Sequence, residues 1–312
     1  MNASGFQHRG REDSLHQPVL VKEVLDNLLL SPGQVVIDGT VGLGGHAAAI
    51  TEAIAPGGIL IGIDQDQEAI RRACSNLSHA PTQVHLHHAS FVEMPDLLTF
   101  HGLAQADRVL LDLGVSSLQL ESPERGFSFL GDGPLDMRMD PTSGGSTAGD
   151  LVKRLSEREL ADLIWRYGEE RQSRRIAKSI AAERQKKTIQ TTGELAAIVR
   201  RAVRGRARID KATRTFQALR IMVNDEMGEL ERALGMIPGI LAPGGRFAVI
   251  SFHSLEDRQV KYAFQAWQTQ GTYEVLTRKP ITASREELHR NPRSRSAKLR
   301  VLLKSFAAGP DA

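Results

Sequence analysis

The chain has 312 residues, 41% of them hydrophobic and 25% charged, with 40 Lys and Arg against 37 Asp and Glu. That length and composition suit one large domain or two ordinary ones around a substantial core. A single cysteine, Cys74, excludes an intramolecular disulfide framework and a Cys-rich zinc site, and no run nears the roughly 18 apolar residues needed to cross a bilayer. A cytoplasmic protein is expected.

Residues 1–17 are polar and lack the apolar stretch of a secretion signal, so they are expected to be a disordered lead-in. Residues 19–30 carry a helical pattern that ends before the turn sequence Ser31-Pro32-Gly33. Strand patterns follow at 35–39, 59–63, 83–88 and 108–112, separated by helical patterns around 46–55, 66–77 and 92–101. Such alternation predicts an α/β fold: a mostly parallel sheet wrapped by helices, with ligands beyond the carboxyl ends of the strands.

Residues 122–149, rich in Gly, Pro, Ser and Asp, read as a long functional loop. From 151 to 212 only helical spacing appears, carried by Leu155, Leu160, Leu163, Ile164 and Tyr167, then Ile176 and Ile180, then Leu195, Ile198 and Val199. Ser156–Glu159 and Thr191–Glu194 each resemble a capping box. Alternation then resumes with one long helix over 216–234, a turn-rich connection over 238–245, a strand over 246–251, a helix over 258–267 and closing strands over 273–277 and 298–303. The expected organisation is one sheet domain, 18–123 with 213–312, interrupted by an all-helical insert, 124–212.

The most specific local signal is Val35-Val36-Ile37-Asp38-Gly39-Thr40-Val41-Gly42-Leu43-Gly44-Gly45-His46. A buried strand runs into a turn stripped of side chains, where a ligand can touch backbone at a helix start. The next strand ends in Asp64, about twenty residues beyond Gly44, the spacing at which a carboxylate reaches a nucleotide ribose. The turn also fits the loose dinucleotide pattern G-x-G-x-x-A, so hydride transfer from a nicotinamide cofactor is one candidate chemistry. S-adenosyl-L-methionine is the other. Asp38 suits an ammonium and is unwelcome beside a pyrophosphate, and Asp112 ends the fourth strand where a reacting group would be presented. Phe91, after the third strand, is a candidate to stack on adenine, and His46 reads more simply as a capping or packing residue.

Cations cluster unevenly. Seven Lys and Arg lie within 171–187, seven within 200–214 and seven within 285–304, against few acids. Three such clusters on a nearly balanced chain point to a polyanion such as nucleic acid.

Longer motifs now matter: Asp38-Gly39-Thr40-x-Gly42-x-Gly44-Gly45-His46, Asp112-Leu113-Gly114-Val115-Ser116-Ser117-x-Gln119, 124–129, 133–140, 167–171, 213–220 and 251–258. Through them the chain resembles the bacterial ribosomal RNA small subunit methyltransferase H family over essentially all of residues 16–303. The resemblance implies a class I, Rossmann-like methyltransferase domain with a helical insert for RNA recognition. It implies transfer of a methyl from S-adenosyl-L-methionine to the exocyclic N4 of a cytidine in the decoding region of small-subunit rRNA. The partner would be that rRNA or the small ribosomal subunit, with no membrane and no metal.

Carried over by position, the cofactor contacts would be Gly44, Gly45, His46, Asp64, Phe91, Asp112 and Gln119, the last from the resemblance alone. Asp112 and His253 are the candidate catalytic groups, and Ser116, Ser117, Arg138 and Ser254 the candidate substrate contacts. A non-catalytic rRNA-binding assembly factor on the same fold is the alternative. Many amino methyltransferases place an acid-or-amide-Pro-Pro-aromatic motif after strand four. Here that place reads Asp112-Leu113-Gly114-Val115, with neither prolines nor an aromatic ring.

Overall fold

A computed structural model describes residues 18–206 and 208–306, and the expected lead-in over 1–17 lies outside these described residues. The apolar runs form strands β1 (Val35–Asp38), β2 (Ile59–Asp64), β3 (Gln83–His88), β4 (Ala106–Asp112) and β5 (Leu241–Ser251), with β6 (Tyr273–Val275) and β7 (Lys298–Lys304) closing the sheet. Their order is β3-β2-β1-β4-β5-β7-β6. The first five neighbours are parallel, and β7 runs antiparallel to both β5 and β6. β1, β2 and β4 are covered on both faces, which is why their runs are continuously apolar rather than alternating. Strand order reverses between β1 and β4, and a crevice opens there at the carboxyl edge.

Helices α1 (Val21–Leu28), α2 (Gly45–Ile54) and α3 (Gln67–Asn76) cover one face, where Leu28, Ile50, Ile54 and Ala73 pack on Val36, Leu60 and Leu110. The other face receives α4 (Met94–Phe100), α11 (Glu226–Ile240) and α12 (Ser254–Thr269), whose Leu98, Ile237 and Phe264 meet Ile37, Ile61 and Phe247. Among the described residues no helix is long and apolar enough to cross a membrane. Cys74 is exposed on α3.

A third core belongs to helices α6 (Ala148–Arg154), α7 (Glu157–Gly168), α8 (Ser173–Lys186) and α9 (Thr192–Ala202). Thr147, Ser156 and Thr191 each complete a capping box. A cap contributes about 1 kcal/mol, whereas each fully buried Leu or Ile contributes roughly 1.5–3 kcal/mol, so packing dominates this unit. The loop before it is only partly irregular: Phe127, Leu135 and Met137 are buried in the same core.

Three expectations need correction. The single helix over 216–234 is two helices, α10 (Thr213–Val223) and α11, broken at Asn224-Asp225, where Asp225 sits at φ 47°. Asn224 is claimed from elsewhere: its amide donates to Met137 O at 2.8 Å and its carbonyl accepts from Met139 N–H at 2.7 Å. The boundary at 212 is also displaced, because Phe216, Ala218 and Leu219 of α10 lie in the helical core rather than under the sheet. The connection expected over 238–245 shrinks to a bulge over 242–245, where the pairing with β4 jumps from Leu241 to Arg246. α11 continues through Pro238 to Ile240 and β5 starts at Leu241, while Lys304 Nζ donates to the carbonyls of Pro238 and Leu241 at 2.9 and 2.6 Å.

Candidate active site

The crevice at the β1–β4 reversal is a cavity of about 320 Å3. One wall is peptide. Gly39, Thr40, Val41, Gly42 and Gly45 line it, and Gly44 turns the chain into α2 at φ 86°, a left-handed conformation that a side chain disfavours. A Cβ on Gly39 would lie 2.5 Å from Leu111 Cδ2 and 3.1 Å from Phe91 Cβ, so a larger residue just after β1 would have to push these side chains aside.

Asp64 ends β2 with its carboxylate accepting the Gly42 N–H at 2.9 Å and the Asp66 N–H at 2.8 Å. It thereby fixes the glycine turn while lining the cavity. The helix cap that a neighbouring acid could supply is made by Asp66 instead. Asp66 also accepts from Gln119 Nε2 at 3.1 Å and from Arg125 at 2.7 Å. Gln119 is itself half of a capping box with Ser116 at the start of α5 (Ser117–Glu121), so its amide is oriented from both ends.

Asp112, at the end of β4, is the least satisfied group in the cavity. Its N–H donates to Thr40 Oγ1 at 2.6 Å and Oδ2 lies 3.7 Å from His46 Nδ1, yet buried Oδ1 has no hydrogen-bond partner. Burial, then the charges of Asp38 and Glu256, push its carboxyl well above the ordinary range. Asp38 is raised to about 7 and Asp64 to about 6, chiefly by burial. Ser117 Oγ is a second buried, unpartnered atom on the same wall. Unsatisfied buried acceptors cost stability unless a ligand meets them.

The opposite wall was foreseen only in part, through His253 and Ser254 at the end of β5. Phe252, after β5, supplies an aromatic ring that the sequence after Asp112 lacks. Glu256 in the first turn of α12 accepts the Phe252 N–H at 2.8 Å and lies beside His253 and Arg220. Burial alone would raise its carboxyl, but these partners outweigh burial and hold it below the ordinary range. The motifs over 213–220 and 251–258 mark the segments, but that Arg220, Phe252 and Glu256 share one wall shows only after α10, α11 and α12 meet.

Gly45, His46, Asp64, Phe91, Asp112, Ser116, Ser117 and Gln119 line the cavity together. Gly44 does not, because its position faces Leu77. Asp38, offered above to an ammonium, lies beneath Thr40 and is also absent from the lining. His253 caps α12: its Nδ1 accepts the Glu256 N–H at 3.3 Å, which leaves the ring proton on Nε2, 3.1 Å from Glu256 Oε1. Glu226, His253 and Glu256 approach closely enough to hold a cation. The Arg220 fork already occupies Glu226, while the buried His253 Nε2 lies near Glu256 Oε1 without forming a hydrogen bond among the described residues.

Ser254 donates to Glu169, which caps the end of α7 and also pairs with Arg258 at 3.0 Å. Arg138 spends its donors on Asp136 and Pro141 O, beside a second cavity of about 310 Å3. The third basic cluster is largely structural, since Lys298 and Arg300 hold Asp257 and Lys304 holds carbonyls. By contrast, Arg171, Arg174 and Lys178 stay exposed, with no ion pair among the described residues.

This strand order, with a peptide-lined turn after β1 and carboxylates after β2 and β4, defines a class I S-adenosylmethionine-dependent methyltransferase. The fit is physical: bare amides and Asp64 suit an adenosyl ribose, and Asp112 Oδ1 awaits a donor. The chain belongs to the MraW methylase family, whose profile matches residues 13–305. That membership sets aside the hydride-transfer reading. The chain is 47% identical over 307 residues to a protein of Syntrophobacter fumaroxidans named ribosomal RNA small subunit methyltransferase H, covering 93% of this chain and 96% of that one. Proteins with the same name from Acidobacterium capsulatum (49% over 300 residues, 93% and 98% covered) and Koribacter versatilis (47% over 311, 96% and 97%) are similarly close.

Proposed function

We propose that this protein methylates the exocyclic N4 of a cytidine in the decoding region of small-subunit rRNA, acting in the cytoplasm on that rRNA or on the small ribosomal subunit. The relatives' names support the substrate, and the unpartnered, buried Oδ1 of Asp112 is the observation that carries the chemistry. Bound S-adenosylmethionine supplies an electrophilic methyl on a positively charged sulfur.

The chain's own groups do the rest. Gly42, Gly45 and the Asp64 carboxylate position the adenosyl end, with Phe91 beside the adenine. Cytosine N4 is a poor nucleophile because its lone pair is delocalised into the ring. Asp112 Oδ1 accepts an N4–H, localises that pair and takes the proton as the new bond forms. Phe252 is the ring against which the pyrimidine packs. Helical stacking hides a paired base, so the target enters unstacked. Alignment of nitrogen, methyl and sulfur supplies much of the acceleration.

RNA recognition falls to the helical unit, residues 124–223 by its packing, through Arg171, Arg174 and Lys178 at the start of α8. Such phosphate contacts position the RNA rather than read its sequence. His253, Ser254 and Arg138 act as orienting groups, each engaged by a protein partner.

The test is incubation of unmethylated small subunits with methyl-labelled cofactor, followed by mass mapping of the rRNA nucleosides. Label on N4-methylcytidine in the decoding region supports this function. Cofactor binding with no labelled nucleoside leaves only the assembly-factor reading.

A further inference from the structure

We propose that Arg220 reads the N3 acceptor of the target cytosine and so sets the enzyme's preference for cytosine over uracil. The inference deepens the function proposed above and rests on it. Arg220 closes the last turn of α10 and lines the cavity with only 16% of its side chain exposed. Glu226, across the break between α10 and α11, grips Nε at 2.7 Å and Nη2 at 2.8 Å.

This two-point grip fixes the guanidinium plane and consumes two of its three nitrogens. The third, Nη1, donates to no acceptor among the described residues. An Arg used only to brace the helix break would be complete with the fork. Here the plane is held rigid on a cavity wall with one donor edge left over.

Asp112 and Arg220 line the same cavity, with Glu256 also on its wall. The acid offers an acceptor and the guanidinium a donor. Cytosine presents the complement on its Watson–Crick edge: N4–H donates and the adjacent N3 accepts. Uracil inverts both positions, with O4 facing the acid and N3–H facing the guanidinium. One wall rejects uracil by opposing two acceptors, the other by opposing two donors. The selectivity is thus set by a pair of residues 108 positions apart (220 against 112) that only the fold brings together.

The test uses small subunits reconstituted with rRNA carrying cytidine or 3-deazacytidine at the methylated position. The analogue keeps N4 and O2 but replaces N3 with C–H. Wild-type protein is expected to favour cytidine by roughly 10- to 100-fold in kcat/KM, the discrimination typical of a good base contact. In Arg220→Gln that preference shrinks at least tenfold, with the loss mostly in KM.

Arg220→Gln strands Glu226, so the double variant Arg220→Met/Glu226→Gln, which removes both charges, is measured beside it. Calorimetric binding of S-adenosylmethionine reports folding in each. An unchanged cytidine-to-analogue ratio in a variant that still binds the cofactor overturns the assignment to Arg220. No methylation of cytidine by wild-type protein defeats the proposed function itself, and this inference with it.

Discussion

Asp112 at the end of β4, partly buried, and Glu256 in the helix after β5, fully buried, face one cavity, yet their carboxyls are shifted in opposite directions. Glu256 is met by a backbone N–H, an imidazole and a guanidinium, and is held ionised. Asp112 has burial and like charges around it and one oxygen with no partner, and its carboxyl is pushed well above the ordinary range, toward that of a group able to take a proton. The difference separates two uses of the same group. Glu256 is scaffold, fixing Phe252 and His253 in place. Asp112 is left unsatisfied so that a ligand can complete it, a pattern common to groups that work in catalysis.

The contrast breaks most sharply at Asp112 itself. Asp112→Asn keeps the shape but removes the proton acceptor, so methylation of small subunits is expected to fall by about 100-fold or more, while the melting temperature holds or rises. A variant that methylates at the wild-type rate refutes the acceptor role.

Glu256→Gln should do the reverse. It leaves the Phe252 N–H and the neighbouring imidazole facing a neutral amide in place of a carboxylate, and unfolding titrations should show a loss of about 2 kcal/mol. Unchanged stability would mean that the network on this wall is not scaffold.

A third prediction concerns pH. Asp38 at about 7 and Asp64 at about 6 hold protons more tightly folded than unfolded. Their contribution is therefore full below the ordinary carboxylate range and is lost as pH rises through about 6 to 7. Ligand-free protein should melt at lower temperature at about pH 8 than at about pH 5, and Asp38→Asn should flatten that slope.

The smallest effects belong to the helical unit. Replacing Arg171, Arg174 and Lys178 with Gln should weaken subunit binding and lower the magnitude of the log affinity against log salt slope by roughly 2 to 3, leaving cofactor binding intact. Thr191→Ala, which removes one cap of α9, should cost about 1 kcal/mol by thermal unfolding.

What the chain disclosed in advance follows the same division. Strands β1, β2 and β4 were legible because burial on both faces leaves a continuous apolar run, and the turn through Gly42 and Gly44 because backbone chemistry there is local. Asp64 and Asp112 were legible as strand-ending acids. The other wall was legible only in part, as the end of β5 at the ligand edge. Asn224 breaks a helix because peptides of Met137 and Met139 claim its amide, and nothing near residue 224 reveals that. Pro238 looks like a loop signal, yet the helix persists with its carbonyl engaged by Lys304. Arg220, Phe252 and Glu256 each sit in ordinary helix-start or helix-end surroundings and become a site only through convergence. His253, conspicuous in the sequence, turned out to serve its own helix.

The most direct measurement is calorimetric titration with S-adenosylmethionine near pH 7, in two buffers of different ionisation enthalpy. Wild-type protein is expected to release protons on binding as the raised carboxyls ionise beside a cationic ligand. Asp112→Asn should bind at least tenfold more weakly and release fewer protons. Equal affinity and an equal proton count in the two proteins would contradict the view that this acid is held open for the ligand.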